Sequence, residues 1–391
     1  MIDYKLKEFM REELERTPVA FRRYIYDKIP WEDRMIGLVG PRGVGKSTLV
    51  KQRLLSHDDH SDWLYVSADH VWFSDHTLTD LADDWLKQGG RYLIIDEIHR
   101  YPGWSQELKQ IYDGHPRLNV IFTGSSVLDI HKGVADLSRR ALMFSMQGLS
   151  FREYLAMFEN INFDVYSIDE IVNHQVEIPA DFHPLPLLKD YLQKGYFPFC
   201  SLPAYEIRLQ QVINQTLEVD IPQYAGMNVA TARKFKRLLS LISTMVPFKP
   251  NISNLSTELN VSRNDLPDYL VYLEQAGMIG QLRDDTGGIR GLGKVEKIYL
   301  DNPNLIYALG GEHSNIGNVR ETFFYNQTRV GNDVIASKTT DFKIGGRIFE
   351  VGGHKKGIRQ LEGDPNGIVV RDDIEYGHDR FVPLWQFGLN Y

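Results

Sequence analysis

The residues with the plainest chemical purpose form one run, Gly40-Pro41-Arg42-Gly43-Val44-Gly45-Lys46-Ser47-Thr48. Glycines at 43 and 45 let backbone N–H groups approach an anion with no Cβ in the way. Lys46 offers a cation to β- and γ-phosphate charge, and the Ser47 hydroxyl can hold Mg²⁺. A second group follows at Asp96-Glu97, where Asp96 can complete a Mg²⁺ shell and Glu97 can polarise an attacking water. Thr123 and Ser125 are hydroxyls that either contact a γ-phosphate or its water, or cap the helix expected near Val127. Arg139 is either an arginine finger or one of a solvated pair with Arg140. His99 reads as a packing or partner-facing histidine, since no second ligand stands at a helical spacing from it.

These groups need elements to position them. Met35-Ile36-Gly37-Leu38-Val39 is a short apolar run that reads as a buried strand, and residues 48–55 resume at helical spacing. Strand, glycine loop and helix is the context a phosphate loop requires, with the positive end of the helix facing the anion. Trp63-Leu64-Tyr65-Val66-Ser67 predicts a second strand and residues 78–86 a helix. Tyr92-Leu93-Ile94-Ile95 predicts a buried strand that delivers both carboxylates to its end, and Asn119-Val120-Ile121-Phe122 predicts another. Arg22-Arg23, among apolar residues spaced for helices, reads as a solvated pair.

The phosphate loop, Asp96-Glu97-Ile98-His99 with Trp104 and Leu108-Lys109 after it, Phe122-Thr123-Gly124-Ser125-Ser126 and Leu149-Ser150-Phe151-Arg152-Glu153-Tyr154-Leu155 together resemble the AAA-type bacterial and archaeal ATPases that carry a C-terminal DUF4143 region. The same acidic box occurs in some helicases, but no accompanying helicase series is present. The resemblance implies an α/β fold: a P-loop NTPase parallel-sheet core with a helical lid, a winged-helix domain and a small restriction-nuclease-like α/β domain. It implies ATP rather than GTP, and no guanine-selective Asn-Lys-x-Asp run is present. Families of this type often have Gly-Arg where this chain has Arg139-Arg140.

The expected divisions are an N-terminal helical segment (1–30), the ATPase core (31–155), a lid (156–230), a winged helix (231–300) and the nuclease-like domain (301–391). Within 231–300 three helices precede two strands around a glycine-rich tip at 287–293, with Ser262 expected as the cap of the third helix. That helix shows Asn264, Asp265 and Asp268 where a major-groove reader usually shows basic or amide side chains. In the last segment Glu321, Asp341 and Glu350 follow the order of a PD-(D/E)xK nuclease, in which carboxylates hold Mg²⁺ and a lysine steadies phosphate charge. The lysine position is Gly352 here, so Lys355 or Lys356 would have to reach in.

The 391 residues are 42% hydrophobic and 25% charged, a globular composition with a net charge of −8. Residues 31–220 carry 17 Lys+Arg against 27 Asp+Glu, and residues 221–280 carry 6 against 4. No stretch forms a strong electrostatic footprint for nucleic acid. The single cysteine, Cys200, rules out an internal disulfide and fits a reducing cytoplasm. No run is long and apolar enough to span a membrane. The expectation is a cytoplasmic Mg²⁺-dependent ATPase whose nucleotide state switches its engagement of a DNA or protein partner or of another copy of itself. An ATP-gated nuclease and a nucleotide-bound assembly module with little turnover are the alternatives.

Overall fold

The computed structural model describes residues 3–124, 137–222, 229–245, 247–285, 293–310, 315–361 and 363–391. The chain divides into two compact units, Met1–Gly148 and Leu149–Tyr391.

Unit 1 is built on five parallel strands: β1 (Met35–Val39), β2 (Trp63–Ser67), β3 (Tyr92–Asp96), β4 (Asn119–Gly124) and β5 (Leu142–Ser145), in the spatial order β2-β3-β4-β1-β5. Both faces of an internal parallel strand are covered, which is why β1, β3 and β4 read as continuous apolar runs rather than as alternating ones. Gly37 sits where β1 is squeezed. A Cβ there would fall 2.5 Å from the Met143 sulfur and 2.6 Å from the Phe122 ring. Helices α1 (Tyr4–Glu15), α2 (Lys46–Leu55), α3 (Leu78–Lys87) and α4 (Trp104–Gly114) complete this unit's described helical frame. Two of the starts are capped by a side chain. Asp3 accepts from the Lys5 N–H at α1, and Thr77 with Asp80 forms a reciprocal capping box at α3. Leu6, Met35, Leu64, Leu81, Trp85, Leu93, Leu108 and Phe122 meet in one core that fixes α1, α3 and α4 on the sheet.

The topology places chemistry at one edge. The strands β1, β4 and β3 are adjacent, so the loop after β1, Thr123 at the end of β4 and Asp96 at the end of β3 lie at the same carboxyl edge. Ligands of open α/β sheets bind at that edge, where the strand order switches.

Unit 2 opens with a capping box at Ser150 and Glu153. Ser150 Oγ donates to the backbone oxygen of Tyr391 (2.7 Å), Arg152 Nε to the same oxygen (2.9 Å), and the Phe151 N–H to Gln327 Oε1 (3.0 Å). The Ser-Phe-Arg-Glu-Tyr run is therefore a buried fastening within unit 2. Helices Val229–Met245, Ile252–Leu259 and Leu266–Gln275 precede the antiparallel pair β6 (Ile279–Arg283) and β7 (Val295–Leu300). The third helix starts after Asp265, not at Ser262, whose hydroxyl instead accepts from the Asn264 N–H (3.2 Å). Positions 287–292 of the glycine-rich tip lie outside the described residues. A second sheet, ordered β12-β11-β10-β9-β8, comprises β8 (Val334–Ala336), β9 (Phe342–Ile344), β10 (Arg347–Gly352), β11 (Gly367–Arg371) and β12 (Phe381–Pro383). The strands β8, β9 and β10 run antiparallel, and β10, β11 and β12 parallel.

Candidate nucleotide site and a second carboxylate cluster

The loop after β1 takes the conformation that its glycines permit. Gly43 and Gly45 have φ of 83° and 99°, in the left-handed region that favours glycine. Gly45 caps α2, so Lys46, Ser47 and Thr48 form its first turn. The N–H groups of a helix's first turn have no acceptor within the helix, and here that turn and the positive end of the helix face the loop. Lys46 is buried, and its ammonium donates to the carbonyls of Gly40 (2.9 Å) and Pro41 (2.7 Å). Val44 is wholly buried and anchors the loop's far side. Arg42 and Gly43 form its more open part.

Ser47 Oγ donates to Asp96 Oδ1 at 3.0 Å, so the hydroxyl at the loop and the carboxylate at the end of β3 converge. Asp96 also accepts from the Tyr65 phenol (2.7 Å) and from the Thr123 hydroxyl. Burial, then the Asp96 charge, drives the Tyr65 pKa far up, so the phenol remains a donor. Tyr65 is a site residue that the sequence reading missed. A single hydroxylated side chain inside the run Trp-Leu-Tyr-Val was the available signal.

Glu97 has a left-handed backbone, φ 52° and ψ 40°, which costs a non-glycine residue about 1–3 kcal/mol and is typical of functional sites. Its N–H donates to Thr123 Oγ1 (3.3 Å). The threonine hydroxyl thus links Asp96 to the Glu97 backbone. Glu97 Oε2 lies 3.5 Å from His99 Nε2 and 4.0 Å from Arg42 Nη2. Ser125 and Val127 lie outside the described residues. Arg139 is exposed in a turn, while Arg140 pairs with Asp113 at 2.9 Å. Arg22 is exposed as expected, but Arg23 is not a solvated arginine. It is buried and donates to backbone carbonyls, one of them in the phosphate loop.

Ser47 and Asp96 are a hard-oxygen donor pair of the kind Mg²⁺ takes, with room in its octahedron for substrate phosphate and water. The residues present therefore fit a magnesium-bound triphosphate.

The other carboxylate set is assembled differently. Glu321 stands on the helix Ile316–Thr328, Asp341 just before β9, and Glu350 on β10. Lys297 of β7 reaches between two of them, 3.2 Å from Glu321 Oε2 and 2.9 Å from Asp341 Oδ1. Tyr299 donates to Glu321 at 2.8 Å and the Val351 N–H to Asp341 at 3.0 Å. Lys297 stands on β7, before the segment 301–391 that carries the carboxylates, and no motif or spacing marks it. Lys355 is exposed. Lys356, not Lys355, pairs with Glu350. Its side chain fills the space at Gly352, where a Cβ would fall 2.0 Å from Lys356 Cγ. Burial and then Asp341 raise the Glu321 pKa, and burial raises that of Glu350. Burial alone would lower Lys297, but Glu321 and Asp341 outweigh it and hold the ammonium charged. Among the described residues, no three His, Cys, Asp or Glu side chains are arranged to hold a metal ion.

Residues 32–155 match the family model of an AAA domain, and residues 185–316 that of a domain of unknown function, DUF8612. The second match falls where the resemblance had implied a DUF4143 region. An uncharacterized protein of Methanocaldococcus jannaschii is 24% identical over 314 residues, covering 70% of this chain and 65% of its own length. This chain thus spans less than two thirds of that relative. Among solved structures, the Thermotoga maritima RuvB Holliday junction branch migration motor aligns with a TM-score of 0.32 and 13% identity, over 70% of this chain and 89% of that one. AMPPCP-bound DnaA from Aquifex aeolicus aligns with a TM-score of 0.25 and 10% identity, over 70% and 90%. Unit 1 has an AAA-type P-loop fold. No described helix is long and apolar enough to cross a membrane.

Proposed function

We propose that the protein binds ATP with Mg²⁺ at residues 40–48 and hydrolyses it to ADP and phosphate. The observation that carries this reading is the 3.0 Å approach of Ser47 Oγ to Asp96 Oδ1 beside a glycine loop with a buried lysine. The loop N–H groups bind the phosphates. Lys46 exchanges two carbonyl partners for phosphate oxygens, a stronger charge-assisted pairing. Ser47 and Asp96 would hold Mg²⁺, which supplies Lewis-acid neutralisation of the developing phosphate charge. Thr123 fixes the Asp96 carboxylate and the Glu97 backbone together. Glu97 orients the attacking water and takes its proton on a carboxylate oxygen.

The test is calorimetry with ATP and Mg²⁺, followed by phosphate release. Saturable heat and turnover are expected from the wild type, and neither from Lys46→Ala. Absence of heat with the wild type would end the reading.

The use of that cycle is a switch acting on a partner, in a cytoplasmic setting consistent with one unpaired cysteine. The three helices and the pair β6–β7 follow the element order of a winged helix. Asp265 and Asp268 at the start of the third helix would repel phosphates, which favours a protein partner or a second copy over DNA. Phosphate release measured with and without added DNA, at several protein concentrations, separates these partners.

A further inference from the structure

Arg23 belongs to no motif, yet it is 7% exposed and its guanidinium donates to three backbone carbonyls. Nη1 donates to Val44 O at 2.5 Å, and Nη2 to Gln147 O at 2.9 Å and Gly148 O at 2.7 Å. The segment that carries it is fixed. Ile25 and Tyr26 are buried, and Trp31 Nε1 donates to Tyr26 O at 2.8 Å.

The Val44 carbonyl shares a peptide with the Gly45 N–H. In a planar trans peptide these two groups point in opposite directions. A donor that holds the carbonyl outward therefore aims the N–H inward. Gly45 is the left-handed residue that ends the loop, so its amide is among those that could meet an anion.

We propose that Arg23 is a positioning residue of the phosphate loop, acting through the Val44–Gly45 peptide to orient the Gly45 N–H toward bound phosphate. This rests on the nucleotide reading above. Arg23 itself touches no phosphate in this scheme. The planar fork suits it to the task, because one side chain holds the loop and the chain after β5 at fixed separation, which an ammonium cannot do.

The test measures affinity for Mg·ATP, Mg·ADP and inorganic tripolyphosphate with Mg²⁺ by calorimetry, together with KM and kcat. Wild type, Arg23→Met and Arg23→Lys are compared, with urea midpoints taken without nucleotide. The Met variant should lose roughly tenfold or more in affinity for all three ligands, the loss typical of an interaction with a charged donor. Arg23→Lys should lose less, and KM should rise while kcat stays near wild type. Equal affinities in wild type and variants would overturn the proposal, even with a lowered urea midpoint. So would weakened ATP and ADP binding with tripolyphosphate unchanged, which would place Arg23 at the nucleoside. If Arg23→Met does not fold, Arg23→Lys decides, and wild-type affinity in that variant overturns the proposal. A wild type that binds no nucleotide would instead remove the reading on which the proposal stands.

Discussion

Two clusters in this molecule use the same side-chain types and handle charge in opposite ways. At the phosphate loop, the Lys46 ammonium rests on carbonyl oxygens and the Asp96 carboxylate on hydroxyls. Carbonyl and hydroxyl dipoles contact both ions, and an arriving anion or cation can replace those contacts with something stronger. In unit 2, lysines meet carboxylates directly: Lys297 with Glu321 and Asp341, Lys356 with Glu350. There the charges have already found each other. Ligand readiness lies in what an ion is resting on. The residue types alone do not reveal it.

The largest test of that contrast is Glu97→Gln. It should bind ATP within about threefold of wild type and lose about 10²–10⁴ in kcat, the range for a general base. Phosphate release at the wild-type rate would leave the first cluster without its proposed base. Next comes Lys297→Met. Removing the cation leaves Glu321 and Asp341 facing each other, half-shielded by solvent, so unit 2 should lose about 2 kcal/mol in urea unfolding at pH 7. An unchanged midpoint would mean that the second cluster is not closed by its own charges. Thr123→Val keeps shape and removes the hydroxyl that joins Asp96 to the Glu97 backbone. It should cost roughly tenfold in kcat with a smaller effect on ATP affinity. A change confined to affinity would move Thr123 from orienting the carboxylates to binding.

The smallest expected effect is a pH difference. Glu350 has a folded pKa above its unfolded value, so the folded state holds its proton more tightly. Its contribution to stability is full below about pH 4.5 and falls as pH rises through the folded pKa. Glu350→Gln should therefore show a flatter stability profile than wild type above pH 4.5, with the difference below about 1 kcal/mol at pH 7. A steeper profile in the variant would mean that Lys356 overcompensates the burial.

Most of unit 1 was legible because local rules and the fold agree there. Four apolar runs became four of the five parallel strands, β5 not being marked in the sequence, and the loop, Asp96 and Thr123 met at one edge. What escaped was contact across distance. Arg23 lies 21 residues from the carbonyl it holds, and Tyr65 lies 31 from its carboxylate. No periodicity encodes either pairing. Arg23 was misread because an arginine pair usually marks a solvated face, and only tertiary packing decides which of the two turns inward. In unit 2 the order Glu321, Asp341, Glu350 was visible. Lys297 was not, because it arrives from β7, outside that segment, and the choice of Lys356 over Lys355 depended on the space left at Gly352.

The left-handed backbone of Glu97 has a consequence for how this protein would respond to selection. Asparagine tolerates that conformation better than glutamate does, and glycine tolerates it freely. A laboratory screen for heat tolerance alone should therefore favour Asn or Gly at position 97, trading turnover for durability.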